Sequence, residues 1–301
     1  MLYLNRNSRI VCMAVVLMSA MVNSVFNLSG ASESKPIAQF NDSELQQMLQ
    51  VALEQNNRTK RLIGNKKLSV CLIDMQHERP RSASINGDHM MYAASLPKIA
   101  ILFAAYASFE DGSLAETPEI RKDLARMIRV SSNAAATRMI DRIGFDKIQS
   151  LLQDPKYKFY DKQAGGGLWV GKRYASKGVR RGDPLYNISH GATADQVCRF
   201  FHMLSKEELV NQTRSRQMLS DLGTPGLHHK FVSQVDLLAP RAAVYRKSGS
   251  WRNWHADAIM VKGVNWRDYI LVGLVESKNG EQIIRELLTT VDGLIKPPAS
   301  Q

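Results

Sequence analysis

From Lys98 to Tyr106 the chain reads Lys-Ile-Ala-Ile-Leu-Phe-Ala-Ala-Tyr, with nothing polar between its two ends. Pro97 stands just before it and suits the first turn of a helix, where a missing N–H goes unnoticed. A helix of this composition has no face for water and must be enclosed on every side. It therefore demands a chain large enough to build a core around it. The 301 residues suffice for one large domain or two intimate subdomains. Hydrophobic residues make up 44% and charged residues 23%, which fits a globular protein and excludes a disordered chain, a solenoid or a multi-span membrane protein.

The remaining pattern predicts what surrounds that helix. Residues 41–56 read as a helix capped by Asn41 or Asp42, with Leu45, Met48, Leu49 and Ala52 on one face. Lys67–Met75 reads as a strand with Val70 and Leu72 on one side and Cys71 and Ile73 on the other. Arg79–His89 is polar, with a turn signal at Asn86-Gly87. Thr117 caps and Pro118 opens a further helix, with Ile120, Leu124, Met127 and Ile128 inward. Ser131-Ser132-Asn133 interrupts, and Ala134–Ile143 continues helically to Gly144. Residues 161–191 form a long glycine-rich, basic loop without a steady period, the kind that carries function or disorder. Ala194–Leu204 is helical behind Thr193, and Ala243–Ser250, His255–Val261 and Tyr269–Glu276 read as three strands. An amphipathic helix over Gln282–Ile295 closes the chain. The order predicts an α/β plus all-α fold: an antiparallel sheet flanked by terminal helices, with an inserted helical subdomain and the active site between them. The corresponding boundaries are 32–88 and 222–301 for the sheet subdomain and 89–221 for the helical one.

The start of the chain has its own logic. Arg6 and Arg9 precede an apolar run from Ile10 to Met18, and small residues follow at Ser29, Gly30 and Ala31. This describes a secretory signal peptide over 1–31, the alternative being an uncleaved membrane anchor. The mature protein is expected outside the cytoplasm, periplasmic or extracellular, and monomeric. The formal charge of +12 suits an anionic cell envelope. No arginine-aromatic cluster of a nucleic-acid reader accompanies it, so no nucleic-acid partner is expected. Cys12 leaves with the leader, and Cys71 and Cys198 read as two separately buried thiols. No Cys/His spacing suggests zinc.

Three short motifs carry chemistry. In Ser95-Leu-Pro-Lys98 a lysine three residues after a serine shares its helix face. Burial and the positive helix end both lower a lysine's pKa, so Lys98 can take the Ser95 proton. The plainer reading makes Ser95 a helix cap and Lys98 a solvated first-turn residue. A second S-x-x-K match, Ser32–Lys35, has no helix behind it. Ser131-Ser132-Asn133 places a hydroxyl and an amide between two helices, where they can line a cleft or simply cap the next helix. Lys247-Ser248-Gly249, followed by Ser250, occurs once and lies on a strand. Glycine there admits another backbone or a ligand, and lysine and serine can hold a carboxylate.

In this order, S-x-x-K, S-x-N and K-S-G, the chain resembles the penicillin-recognising serine hydrolases, most closely the class A β-lactamase family, over nearly all its length after the leader. The resemblance implies that Ser95 is the acylated nucleophile and Lys98 its base. Ser131 would relay a proton to the leaving nitrogen, Asn133 would hold the substrate's acylamide, and Lys247 and Ser248 its carboxylate. The backbone N–H groups of Ser95 and Ser250 would form the oxyanion hole. The substrate would be a β-lactam or a peptidoglycan peptide, with no metal or organic cofactor. Three departures stand out. Ser132 replaces the family's usual aspartate, the stretch from Ser95 to Ser131 is short, and no glutamate occurs from Lys162 through Gly191. That glutamate would activate the deacylating water. Its absence leaves open a divergent β-lactamase, a DD-peptidase-like enzyme, or a penicillin- or muropeptide-binding protein that acylates without turnover. Lys172, Tyr174, Asp183 and His190 are candidate replacements that read more naturally as structural, Asp183 by pinning Arg180 or Arg181. His255 and Asp257 follow the third motif and are expected in packed or solvated positions.

Overall fold

After a 3-10 turn over Ile37–Phe40, Asp42 is extended and starts a helix: its carboxylate accepts the Leu45 N–H at 2.8 Å, capping α1 (Ser43–Glu54). The computed structural model describes residues 37–263 and 266–298. The leader 1–31, Cys12 and the Ser32–Lys35 motif lie outside them. After α1 come α2 (Asn57–Gly64), β1 (Leu68–Asp74), β2 (Arg81–Ile85) and the two-residue β3 (Met91–Tyr92). The helical region follows: α3 (Lys98–Glu110), α4 (Pro118–Arg129), α5 (Asn133–Ile143) and α6 (Phe145–Gln153). The long loop contains β4 (Tyr160–Asp161), β5 (Gly166–Gly167), β6 (Trp169–Val170) and β7 (His190–Ala192). Then come α7 (Ala194–Ser205), α8 (Gln212–Leu222), α9 (Phe231–Leu238), β8 (Ala243–Trp251), β9 (Trp254–Lys262), β10 (Asp268–Glu276) and α10 (Gly280–Ile295).

Five strands form one sheet in the order β2-β1-β10-β9-β8, every neighbouring pair antiparallel. Strand period decides the two faces. Leu68, Val70 and Leu72 of β1 join α1, α9 and α10 in one core, while Cys71 and Ile73 join the core built with α3 through α8. The alternation predicted for β1 is therefore the division between the two cores. α3 is buried almost throughout, Ile99 to Tyr106 being inaccessible to within 1%, as its all-apolar surface requires. The described residues fall in one compact unit, and none of their helices is long and apolar enough to cross a membrane.

Two expectations are corrected. Arg81–Ile85, within the stretch read as polar turn, is a strand: Ser82, Ala83 and Ile85 are buried against β1 and α1. The 161–191 loop is laced by short pairings: β4 with β5, and β7 with both β3 and β6. Cys71 and Cys198 are free, buried thiols as expected, and the Cys198 thiol donates to the Cys71 carbonyl at 3.2 Å.

Candidate active site

Ser95 lies half-buried in a turn that leads into α3, with Leu96 N–H donating to Ala93 O at 3.0 Å and Lys98 N–H to Ser95 O at 3.3 Å. The cap position of α3 is Pro97, so the Ser95 hydroxyl is not the helix cap. Ala94, one residue earlier, takes a φ of +51°, a left-handed conformation that is costly for a side chain with a Cβ. Lys98 is not solvated either. It is 0% exposed, and its amine donates to Ser131 O at 2.6 Å, Asn133 Oδ1 at 2.8 Å and Ser131 Oγ at 3.3 Å. Burial lowers the amine to about 7, where a neutral fraction exists near neutral pH.

The second motif serves both of the purposes open to it. Ser132 caps α5 through the Ala135 N–H at 3.3 Å. Ser131, held left-handed at φ +56°, and Asn133 turn back to Lys98. The third motif arrives from β8, the edge strand of the sheet. The Lys247 amine, 1% exposed, donates to Ser131 Oγ at 2.9 Å and to Ser248 O at 2.8 Å. Burial, reinforced by the Lys98 charge, holds this amine well below the usual lysine range. Two lysine amines thus point at one hydroxyl, and the doubly charged state is disfavoured.

Gly249 brings β8 against the Ser95 turn. A Cβ at this position would stand 2.2 Å from Ala93 O, 2.6 Å from Ser95 N and 2.8 Å from Leu96 N, all backbone atoms. Only glycine permits that approach. Ser248 is buried beside it, and Ser250 beyond it is exposed at the backbone's turn toward β9. The structure thus gathers Ser95, Lys98, Ser131, Asn133, Lys247 and Gly249 in one place.

Lys230 was not legible as part of this region. It stands fully buried at a left-handed φ of +56°, and its amine donates to Gly249 O at 2.6 Å, Ser250 Oγ at 2.8 Å and Ala256 O at 3.1 Å. Burial lowers it to about 8. It braces the strand from behind, and in sequence it is only the end of a polar His-His-Lys run. Asp257 is packed, as expected: it pairs with Arg246 at 2.7 and 2.9 Å, and both side chains are buried. His255 packs against Gly280.

The loop supplies no acid to this cluster. Tyr174 lays its ring 4.5 Å from the Lys98 amine and donates its hydroxyl to Ala94 O at 3.2 Å. His190 packs on that ring at 4.3 Å between centroids and faces Lys172 O with Nε2 at 2.9 Å; burial lowers it to about 4, so it is neutral. Asp183 does not hold Arg180 or Arg181. Its oxygens accept from the Tyr160 hydroxyl at 2.9 Å and from the N–H groups of Leu185, Tyr186 and Ile188, because a buried carboxylate needs several donors and the backbone turn offers them. Arg180 turns to Asn187 and Arg181 to Asp146. Among the described residues no carboxylate hydrogen-bonds to Lys98, Ser131 or Lys247, and no group of three His, Cys, Asp or Glu side chains is placed to hold a metal.

Residues 115–291 match the family described as the beta-lactamase enzyme family. No curated protein sequence matches the chain. Among solved structures, a beta-lactamase from Sphaerobacter thermophilus DSM 20745 shares the fold with a TM-score of 0.63 at 17% identity, covering 84% of this chain and 99% of its own. PBP-A does so with a TM-score of 0.61 at 17% identity, covering 83% and 95%. A PBP-A variant solved as an acyl-enzyme complex with penicillin G has a TM-score of 0.62 at 16% identity, covering 83% and 96%.

Proposed function

The chain belongs to the beta-lactamase enzyme family, and from that membership we propose that it is a serine hydrolase that opens β-lactam amide bonds through an acyl-enzyme on Ser95. The observation that carries this reading is the convergence of the Lys98 and Lys247 amines on Ser131 Oγ, beside the Ser95 turn against which Gly249 packs. Neutral Lys98 takes the Ser95 proton as the serine oxygen attacks the carbonyl. The N–H groups of Ser95 and Ser250 receive the developing oxyanion, and losing one such donor costs roughly 10²–10³ in rate. Ser131, supplied by the lysines around it, passes a proton to the nitrogen as the C–N bond breaks. Lys247 and Ser248 hold the substrate carboxylate and Asn133 its acylamide. Water then cleaves the ester.

A second reading has its own support. A Tyr174 ring faces Lys98, and among the described residues no carboxylate hydrogen-bonds to Lys98, Ser131 or Lys247; in this reading nothing activates the second water and the acyl-enzyme is long-lived. Intact-mass spectrometry after mixing with a penicillin, followed over time, tests both. A +penicillin mass that maps to Ser95 supports acylation, its decay supports hydrolysis, and its persistence supports the stalled form. A chain that never gains the mass, and gains none in contrast with a Ser95→Ala control, overturns the reading. Release of D-alanine from a D-alanyl-D-alanine peptide distinguishes the DD-peptidase-like alternative.

A further inference from the structure

Past Asn133 the cleft opens into a recess of about 780 Å³, bounded by Asn133 and Tyr174 on the side toward Lys98 and running on to residues that take no part in the chemistry at Ser95. Its two walls differ. One is aromatic: Trp251 and Trp254 are paired across the β8–β9 turn, and Tyr92 meets Trp254 at 6.2 Å between centroids. The other is the basic loop, which presents Lys172, Arg173 and Arg180. Among the described residues no aspartate or glutamate lines the recess. Arg173 is neutralised by Asp141. Arg180 donates to the side-chain and backbone oxygens of Asn187, and Lys172 reaches the Ser176 carbonyl at 3.4 Å, so neither meets a carboxylate. The two are bridge partners in antiparallel pairing. Like charges directly opposite each other in such a pair destabilise it, and an anion between them removes the penalty. Asp183 of the same loop cannot serve, because its oxygens are taken by Tyr160 and three backbone N–H groups.

We infer that this recess is a subsite for an anionic group on the acyl side of the substrate, held at Lys172 and Arg180, with a flat apolar neighbour lying along Trp251 and Trp254. The assignment of the acyl side rests on the role proposed for Asn133. Three penicillins that differ only at the carbon next to the side-chain carbonyl give the test: benzylpenicillin, its α-carboxy derivative and its α-amino derivative. Binding to the Ser95→Ala chain is read by tryptophan fluorescence at low salt, so no covalent step enters. The α-carboxy compound should bind roughly five- to tenfold more tightly than benzylpenicillin and the α-amino compound more weakly, with the spread shrinking at high salt. Lys172→Gln combined with Arg180→Gln should erase the order, while Arg285→Gln on α10 should keep it. Equal affinities for the three, no measurable binding of the α-carboxy compound, or an order that survives the double substitution would overturn the inference. Acylation of the unaltered chain by benzylpenicillin, measured separately, reports on Ser95 alone and so tells the two failures apart.

Discussion

The Ser131 hydroxyl stands between two buried amines, and the protonation of those amines sets what the site can do. A base works only when unprotonated, and the Lys98 amine lies at about 7. The neutral fraction therefore grows as pH rises through 7 and then saturates. The rate of covalent labelling by a fluorescent penicillin should climb about tenfold per pH unit below that point and level above it; a flat profile between pH 5 and 9 would remove Lys98 as the base. Lys98→Arg stays protonated at every accessible pH, so labelling should fall roughly 10²–10⁴-fold, and the melting temperature should fall as well because the buried site disfavours a permanent charge. Ser95→Ala should abolish labelling with the fold retained, as circular dichroism would report.

Elements meet at this site through backbone as much as through side chains. Gly249→Ala would drive a methyl group into the carbonyl of Ala93 and the N–H of Ser95, neither of which can rotate away. The expected outcome is a loss of about 1–3 kcal/mol in denaturant unfolding and a larger, separate loss of labelling as β8 is pushed off the turn. Tyr174→Ala would open the loop side of Lys98 to water. With desolvation relieved, the amine returns toward the ordinary lysine range, and the labelling profile should move to higher pH. How much of this could be read in advance follows the strength of local pattern. The caps at Asp42, Thr117 and Thr193, the alternation of β1 and the face of α10 are all written within a few residues. α8 has only Met218 and Leu222 as buried apolar residues, and β2 is the polar-looking Arg-Ser-Ala-Ser-Ile, so neither announces itself. The three motifs were legible because each is a contiguous run. Tyr174 stood out only as one of several loop groups and Lys230 not at all, because their partners are backbone carbonyls and an amine contributed by distant parts of the chain.

At the scale of the whole molecule, the sheet separates two cores, and α3 runs through the larger of them. Leu102→Ala, at a position with no exposure, should cost about 2–5 kcal/mol in urea unfolding, since the enclosing helices cannot all close around the void. Arg246→Ala should cost about 3–5 kcal/mol by leaving the buried Asp257 carboxylate without its cation and with the Phe231 N–H as its remaining hydrogen-bond donor. The placement of β8 has a further consequence, in time. Ser95 is made early and Gly249 late, with most of the helical region between them. A nascent chain that has reached only α8 would already hold its serine and the first lysine, yet lack the strand that presses on them. Such a fragment should be inert to penicillins, and reactivity should appear abruptly, once β8 has been made and folds back with its neighbours onto the Ser95 turn.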